Sequence, residues 1–314
     1  EIRAPFATEG TSLQAAQSPF GIERIYEIRY ESAIDAYDAC VMLANNPDVE
    51  YATPVYNRYI SLTPNDSQYA SQYAMGKIQA PQAWDISTGS GTVTIAIIDS
   101  GTDFEHEDLA GNLWTNPGET GTDGQGKDKR TNGKDDDNNG KIDDYRGWDF
   151  VGNITAAELV QGIVKEDNDP KVRATTIVTE HQHGTETTGS AAAVSNNVKG
   201  VASTGFTCKY IPIKCGTDAN DKNLVGKMLR GYEAITYAAR LGATIINCSW
   251  GGPGDSPAEQ DIINNATASG SIVVAAAGNE TMDMDKTEYF PACYDNVLCI
   301  GATNNSDKVA YFSN

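Results

Sequence analysis

His183 stands in HQHGTETTGSAAA (181–193), directly ahead of Gly-Thr and a run of very small side chains. The chain has only three histidines. Small residues let a helix lie close against another backbone. An imidazole at the head of such a helix is held rigidly while staying partly open to solvent, as a general base requires. A structural turn would use the same residues. Asp99 closes the apolar run VTIAIID (93–99), which places a carboxylate at the edge of a dry core. Read alone it is a cap or turn aspartate. Ser249-Trp250-Gly251-Gly252 and Gly278-Asn279 each follow another apolar run. An asparagine there can aim an N–H at a developing oxyanion, although a lone one reads as a turn residue.

GKDDDNNGKIDDYRGWDF (133–150) points to different chemistry. Asp135, Asp137 and Asn139 alternate, Gly140 permits a sharp turn, and Asp143 and Asp144 follow. Hard oxygen ligands at alternate positions suit calcium, with the Lys141 carbonyl as a further ligand. The EF-hand pattern is incomplete, because its last position is Arg146 and not Glu. A solvated acidic loop is the plain alternative. The glycine, the apolar Ile142 and the mutual repulsion of so many carboxylates favour a cation.

These residues must be positioned by strands and helices in alternation. VTIAIID, KYIPIK (209–214), ATIINCS (243–249), SIVVAAA (271–277) and NVLCIG (296–301) are continuous apolar runs, the pattern of parallel strands buried on both faces. Leu224, Met228, Ile235 and Ala239 mark one helix face, closed by Gly242, and Pro257 to Ser269 forms the next helix, closed by Gly270. The expected fold is α/β, a doubly wound parallel sheet with its ligands at the carboxyl ends of the strands. Residues 1–60 read as a separate small unit. It has a strand at 21–30, a helix over 32–46 capped by Ser32, and a strand at 49–56. The polar stretch 61–76 reads as a linker leading into the larger domain, 77–314.

Taken together, the strand-end residues are more specific than any one of them. Asp, then His, then a later nucleophile is the order of one convergent form of the serine-hydrolase triad. AIIDSGTDFEHEDL (96–109) and HGTETTGSAAA (183–193) resemble the aspartate and histidine motifs of subtilases, the subtilisin-like serine peptidases. INCSWGG (246–252), AAAGNE (275–280) and FPACYDNVLCIGAT (290–303) resemble their substrate-strand, oxyanion and following segments. The resemblance covers about residues 64–314. It implies a subtilisin-like sheet in which Asp99 orients His183, His183 takes a proton from a serine hydroxyl, and Asn279 donates to the oxyanion. Ser249, Trp250 and Gly251 would pair with an extended protein or peptide substrate, and Ala276, Ala277 and Gly278 would wall the main specificity pocket. Trp250 would narrow the cleft. NPDVEYATPVY (46–56) resembles part of the subtilase inhibitory prodomain. Residues 1–60 are therefore expected to be an α+β, ferredoxin-like prodomain acting in cis, with its tail near 56–63 in the cleft. Some subtilases bind calcium at an insertion like 133–150.

The chain departs from the family pattern in three places. No Gly-Thr-Ser occurs in residues 1–314, so the sequence is expected to be a precursor fragment, inactive without its serine segment. Glu186 stands where the family usually has another histidine. Asp108 matches a family calcium ligand, but the facing loop SNNVKGVA (195–202) is shorter than in calcium-binding members. One competing reading is a non-catalytic peptide-binding pseudoprotease. Another is a metal-dependent hydrolase built on Glu180, His181, His183 and Glu186, which the absence of H-E-x-x-H disfavours.

Composition limits the remaining options. The net charge of −20 opposes nucleic acid and acidic lipid as partners and suits cations and basic peptides. No apolar run is long enough to span a bilayer, and a secreted or cell-surface location is expected. Cys208 and Cys215 sit at opposite ends of one strand. Cys293 and Cys299 flank a turn and are placed to pair, and Cys40 and Cys248 read as small core residues.

Overall fold

The computed structural model describes residues 1–4, 24–56 and 62–314, which fall into two compact units, 1–60 and 61–314. In the first, β1 (Ile2–Arg3) and β2 (Glu27–Ile28) form an antiparallel ladder with Ile2 opposite Ile28. The strand expected over 21–30 is thus confined to two residues, and positions 21–23 lie outside the described residues. Helix α1 (Ala36–Ala44) begins later than expected. Its cap is Asp35 rather than Ser32: the Asp35 carboxylate accepts from the amides of Tyr37 and Asp38 at 2.8 and 2.9 Å. Ser32 accepts from Ile34 N instead. Residues 49–56 join no ladder. Cys40 is half-buried and not a core residue.

The second unit starts where a linker was expected. Helices α2 (Tyr73–Lys77) and α3 (Ala80–Ile86) bring Met75, Ala80 and Trp84 against Ala202 and Phe206. The Trp84 and Phe206 rings meet edge-on at 5.2 Å. The polar residues that give this stretch its linker-like character hold it down. Gln72 exchanges two 2.8 Å hydrogen bonds with the Ala202 backbone, and Asp66 accepts from Asn196 N at 2.7 Å.

The elements that follow are β3 (Thr94–Asp99), β4 (Trp148–Asp149), α4 (Ala156–Val160), α5 (Thr179–Ala192), β5 (Lys209–Lys214), α6 (Gly231–Arg240), β6 (Ile245–Cys248), α7 (Pro257–Ala268), β7 (Ile272–Ala276) and β8 (Val297–Ile300). Six strands form one parallel sheet in the order β4-β5-β3-β6-β7-β8. Every residue of β3 is buried. Ala96 and Ile98 join the core with Ala234, Ile235 and Ile263 from α6 and α7. Ile95 and Ile97 join Ala192 of α5. Both faces of the central strand are therefore covered, which is why its sequence is an unbroken apolar run.

Helix α6 begins only at Gly231, so Leu224, in a turn, and Met228, in irregular chain, precede it while still packing on the same core. Gly242 follows the helix at φ 74°, donating its amide to Ala239 O. β4 is a short strand that no apolar run announced.

Candidate functional site

β3 delivers Asp99 to the carboxyl edge of the sheet, with its side chain 2 % exposed. His183 is the fifth residue of α5, one turn inside the helix and not at its head. Its Nδ1 lies 2.7 Å from Asp99 Oδ1, and half of the side chain remains exposed. The glycine after the histidine makes this approach possible. A methyl group on Gly184 would sit 2.3 Å from the Gly101 carbonyl oxygen and 3.0 Å from Asp99 Cβ. Ser100 locks the junction: its hydroxyl donates to His181 O at 3.2 Å and accepts from Gly184 N at 3.0 Å, while its own amide donates to Asp99 Oδ1 at 2.7 Å. Nothing in the sequence motif alone assigned Ser100 this part.

The hydrogen bond to Asp99 raises the His183 pKa above the ordinary imidazole value. Partial burial opposes that rise, and the charges of Asp99 and Glu186 add to it. With Nδ1 directed at a carboxylate, the free Nε2 can accept a proton, and the resulting imidazolium is stabilised where it forms.

The segment after β6 borders a groove. Ser249 accepts a 2.9 Å hydrogen bond from Asn247 Nδ2. The Trp250 indole is tucked inward: Nε1 donates to Ile98 O at 3.0 Å, and the ring meets Tyr232 edge-on at 5.7 Å. A methyl group on Gly231 would be 2.6 Å from that indole, which explains glycine at the start of α6. Trp250 thus borders a groove of about 380 Å³ with Met228, Tyr232, Gly251, Gly252 and Phe290. At the next strand end, Ala276 ends β7, Ala277 donates its amide to Ile300 O, and Gly278 turns at φ 107°. Asn279 follows, exposed, with its amide donating to Glu280 Oε2 at 2.8 Å.

Beneath Gly101, Lys214 is fully buried between Asp149, at 2.6 Å, and Asp218, at 3.1 Å. Burial pushes the Asp149 carboxyl up to about 6, against the pull of Lys214. This ion triad was not legible in the apolar run that contains the lysine.

Among the described residues, one group of metal-type donors converges, and it lies in the acidic segment. Carboxylate oxygens of Glu119, Asp137 and Asp144 lie within 4.8 Å of one another. Glu119 comes from outside the expected loop. Glu119 and Asp144 are fully buried, and Glu119 Oε2 has no hydrogen-bond partner. Burial pushes Glu119 up to about 7, and the neighbouring carboxylates add to the shift. Asn139 Nδ2 donates to Asp137 and Asp144 at 3.1 and 2.9 Å, so it adjoins the same cluster. Asp135 and Asp143 are not in that group: Asp135 accepts from the amides of Asn139 and Gly140, sharing the Asn139 amide with Asp137, and Asp143 accepts from Gly133 N. The Lys141 ammonium pairs with Glu166. An all-oxygen, strongly anionic set with one orphaned buried oxygen fits a hard cation such as calcium.

Glu180, His181, His183 and Glu186 form no comparable group among the described residues. His181 is buried and accepts from Val178 N at 3.3 Å, while His183 faces Asp99. The metal-hydrolase reading therefore loses its ligand set. Asp108 accepts from Asn197 Nδ2 and Val201 N, both at 2.8 Å. Cys293 and Cys299 are unpaired: Cys293 Sγ accepts from Tyr289 N, and Cys299 lies exposed on β8.

A model of the subtilase family, Peptidase_S8, matches residues 90–314. The thermophilic serine proteinase of Bacillus sp. (strain AK1) is 33 % identical over 273 residues, 87 % of this chain and 54 % of that protein. Thermitase of Thermoactinomyces vulgaris is 33 % identical over 252 residues, covering 80 % of this chain and 69 % of thermitase. The extracellular protease of Xanthomonas campestris pv. campestris is 31 % identical, covering 91 % and 47 %. The chain thus spans about half the length of the first and last of these relatives. A solved structure of proteases from Pseudoalteromonas arctica shares the fold, with a TM-score of 0.60 at 24 % identity over 81 % of this chain and 69 % of that one. The parallel sheet flanked by helices is a subtilisin-like α/β fold.

Proposed function

Because the chain belongs to the subtilase family, we propose that it carries two members of a serine endopeptidase triad and the frame of its peptide cleft. The 2.7 Å contact between His183 Nδ1 and Asp99 Oδ1 carries this reading. His183 Nε2 takes the proton of an attacking serine hydroxyl as the acyl-enzyme forms and returns it to the leaving amine. Asp99 fixes the tautomer and balances the imidazolium. Asn279 donates to the tetrahedral oxyanion, a contribution of about 3–4 kcal/mol in sites of this kind. Ser249, Trp250 and Gly251 offer backbone for pairing with an extended substrate, and Ala276, Ala277 and Gly278 wall the pocket beside it.

Neither Ser100, Ser190 nor Ser249 is the nucleophile. Their hydroxyls are engaged with His181 O and Gly184 N, with Glu186 O, and with Asn247 Nδ2. The serine is assigned to a Gly-Thr-Ser segment outside residues 1–314. Residues 1–60 act as an inhibitory prodomain in cis, and the protein works outside the cell or at its surface. No helix among the described residues is long and apolar enough to cross a membrane. Glu119, Asp137 and Asp144, with Asn139 beside them and the Lys141 carbonyl as a further candidate ligand, would hold calcium, which would neutralise the buried carboxylates and brace the 116–144 region without entering the reaction.

A serine-directed fluorophosphonate applied to the natural polypeptide tests the reading. Covalent labelling that disappears in His183→Ala supports it. Peptidase activity that ignores the phosphonate and falls with zinc chelation overturns it, as does the absence of both labelling and activity.

A further inference from the structure

The space between the two substrate-flanking segments is already partly filled. A methyl group on Gly251 would lie 2.3 Å from Tyr289 Cε1, and one on Gly278 would lie 3.1 Å from the same atom. One edge of a single ring therefore borders both segments. The root of Tyr289 is fixed because its neighbour Phe290 exchanges backbone hydrogen bonds of 2.7 and 2.9 Å with Gly252. Its tip is held where the hydroxyl donates to Glu280 Oε1 at 3.5 Å. Asn314 closes the same corner: Nδ2 donates to Ala277 O and to Glu280 Oε2, both at 2.8 Å, and Oδ1 accepts from Glu280 N at 2.9 Å.

We infer that Tyr289 is the floor of the specificity pocket and that it restricts the residue preceding the cleaved bond to short side chains such as alanine or serine. The inference rests on the proposed reading of Ser249–Gly251 and Ala276–Gly278 as the cleft walls. A deep pocket would leave the gap between Gly251 and Gly278 open for a large apolar side chain, and here a fixed aromatic edge stands in it. Glu280 does not make the pocket selective for bases. Its Oε2 is taken by Asn279 N and Asn314 Nδ2, and its Oε1 faces the Tyr289 hydroxyl.

The test is a titration of the isotope-labelled chain with tetrapeptide acids Ala-Ala-Pro-X, in which X is Ala, Phe or Lys, read at the amides of Gly251, Gly252 and Gly278. The expected result is tighter binding for X = Ala than for Phe or Lys by about tenfold or more, in line with pockets that are too small by several methylenes. Tyr289→Gly should bring Phe level with Ala, and Tyr289→Phe should keep the original order. Equal binding of Ala and Phe to the unaltered chain overturns the inference without reference to any variant. A preference for Lys that is lost in Glu280→Gln also overturns it and leaves the cleft reading standing. If no peptide moves these amides, the inference fails together with the cleft reading.

Discussion

Gly184 and Gly101 stand so close that a Cβ on the first would be 2.3 Å from the carbonyl oxygen of the second. Both are backbone contacts of rigid elements, α5 on one side and the end of β3 on the other. Neither can give way as a flexible side chain would. Gly184→Ala should therefore cost about 1–3 kcal/mol of stability, the usual range for overpacking. It should also push His183 away from Asp99. Denaturant unfolding of the variant reads the first effect. Loss of the His183–Asp99 hydrogen-bonded proton signal at low field in NMR reads the second.

The same pair sets a pH dependence. Asp99 and, more weakly, Glu186 favour the charged imidazole, so the folded His183 pKa lies above its ordinary value. The contribution of the pair to stability is full below the unfolded imidazole value of about 6.5 and is lost as pH rises through the raised folded value. In the proposed general-base role the dependence runs the other way, because only the neutral imidazole accepts a proton. The acid limb of kcat/KM in the natural polypeptide should lie above about 6.5. Asp99→Asn should move that limb to lower pH and cut kcat by roughly 10⁴. Glu186→Gln should move it slightly in the same direction with little loss of rate. A limb that is unchanged in Asp99→Asn would contradict this assignment.

What the sequence made legible follows from which physical signals are local. β3 and β5 were readable because strands buried on both faces must be apolar throughout; β6, β7 and β8 show the same apolar runs although β8 is largely exposed, and the strand ends pointed to the candidate residues Asp99, Trp250 and Asn279. α5 was readable from its small residues, although the helix starts four residues before His183. Contacts distant in sequence were not legible. Glu119 joins Asp137 and Asp144 across a gap that no loop motif spans. Lys214 hides its charge inside a strand by pairing with Asp149 and Asp218. The 61–76 stretch looks like a linker because its polar side chains bond to the backbone of 196–202, a partner that composition cannot reveal. Ser32 lost the cap to Asp35, which directly precedes α1 and whose Oδ1 accepts from the amides of Tyr37 and Asp38, while Ser32 Oγ is taken by Ile34 N.

The acidic cluster has a consequence in the absence of metal. Glu119 is pushed up to about 7 in the folded chain, so the folded state holds a proton that the unfolded chain releases near pH 4.3. Stability without metal should fall as pH rises from about 4.5 to about 7, the sign expected when the folded form binds more protons. Calcium at a hundredfold excess over its Kd should raise Tm by roughly 5–10 °C at pH 7.5 and flatten that pH dependence. Glu119→Gln should remove most of the calcium response. Differential scanning calorimetry with calcium or with a chelator, at pH 5 and pH 7.5, measures all three. A Tm indifferent to calcium at both pH values would rule out a cation in this cluster.

Trp250 links the proposed substrate segment to the strand that carries Asp99, since its indole N–H donates to Ile98 O, the carbonyl immediately before Asp99. The ring lies against Gly231 and Tyr232 at the start of α6, so β6, β3 and α6 are braced by one side chain. Trp250→Phe keeps part of the packing and leaves the Ile98 carbonyl without this donor. The hydrogen bond is worth about 0.5–1.5 kcal/mol net, and an unsatisfied buried acceptor costs about 1–3 kcal/mol. Unfolding should therefore show a loss of about 1–3 kcal/mol. Trp250→Ala should lose more, about 3–5 kcal/mol, because the indole volume also empties. In the natural polypeptide, Trp250→Phe should lower kcat more than it raises KM, because the strand that carries Asp99 loses a tether while Gly251 and Gly252 keep their backbone. A variant with unchanged stability would mean that the indole contact to Ile98 contributes nothing, and the brace between substrate segment and catalytic strand would have to be sought in Tyr232 alone.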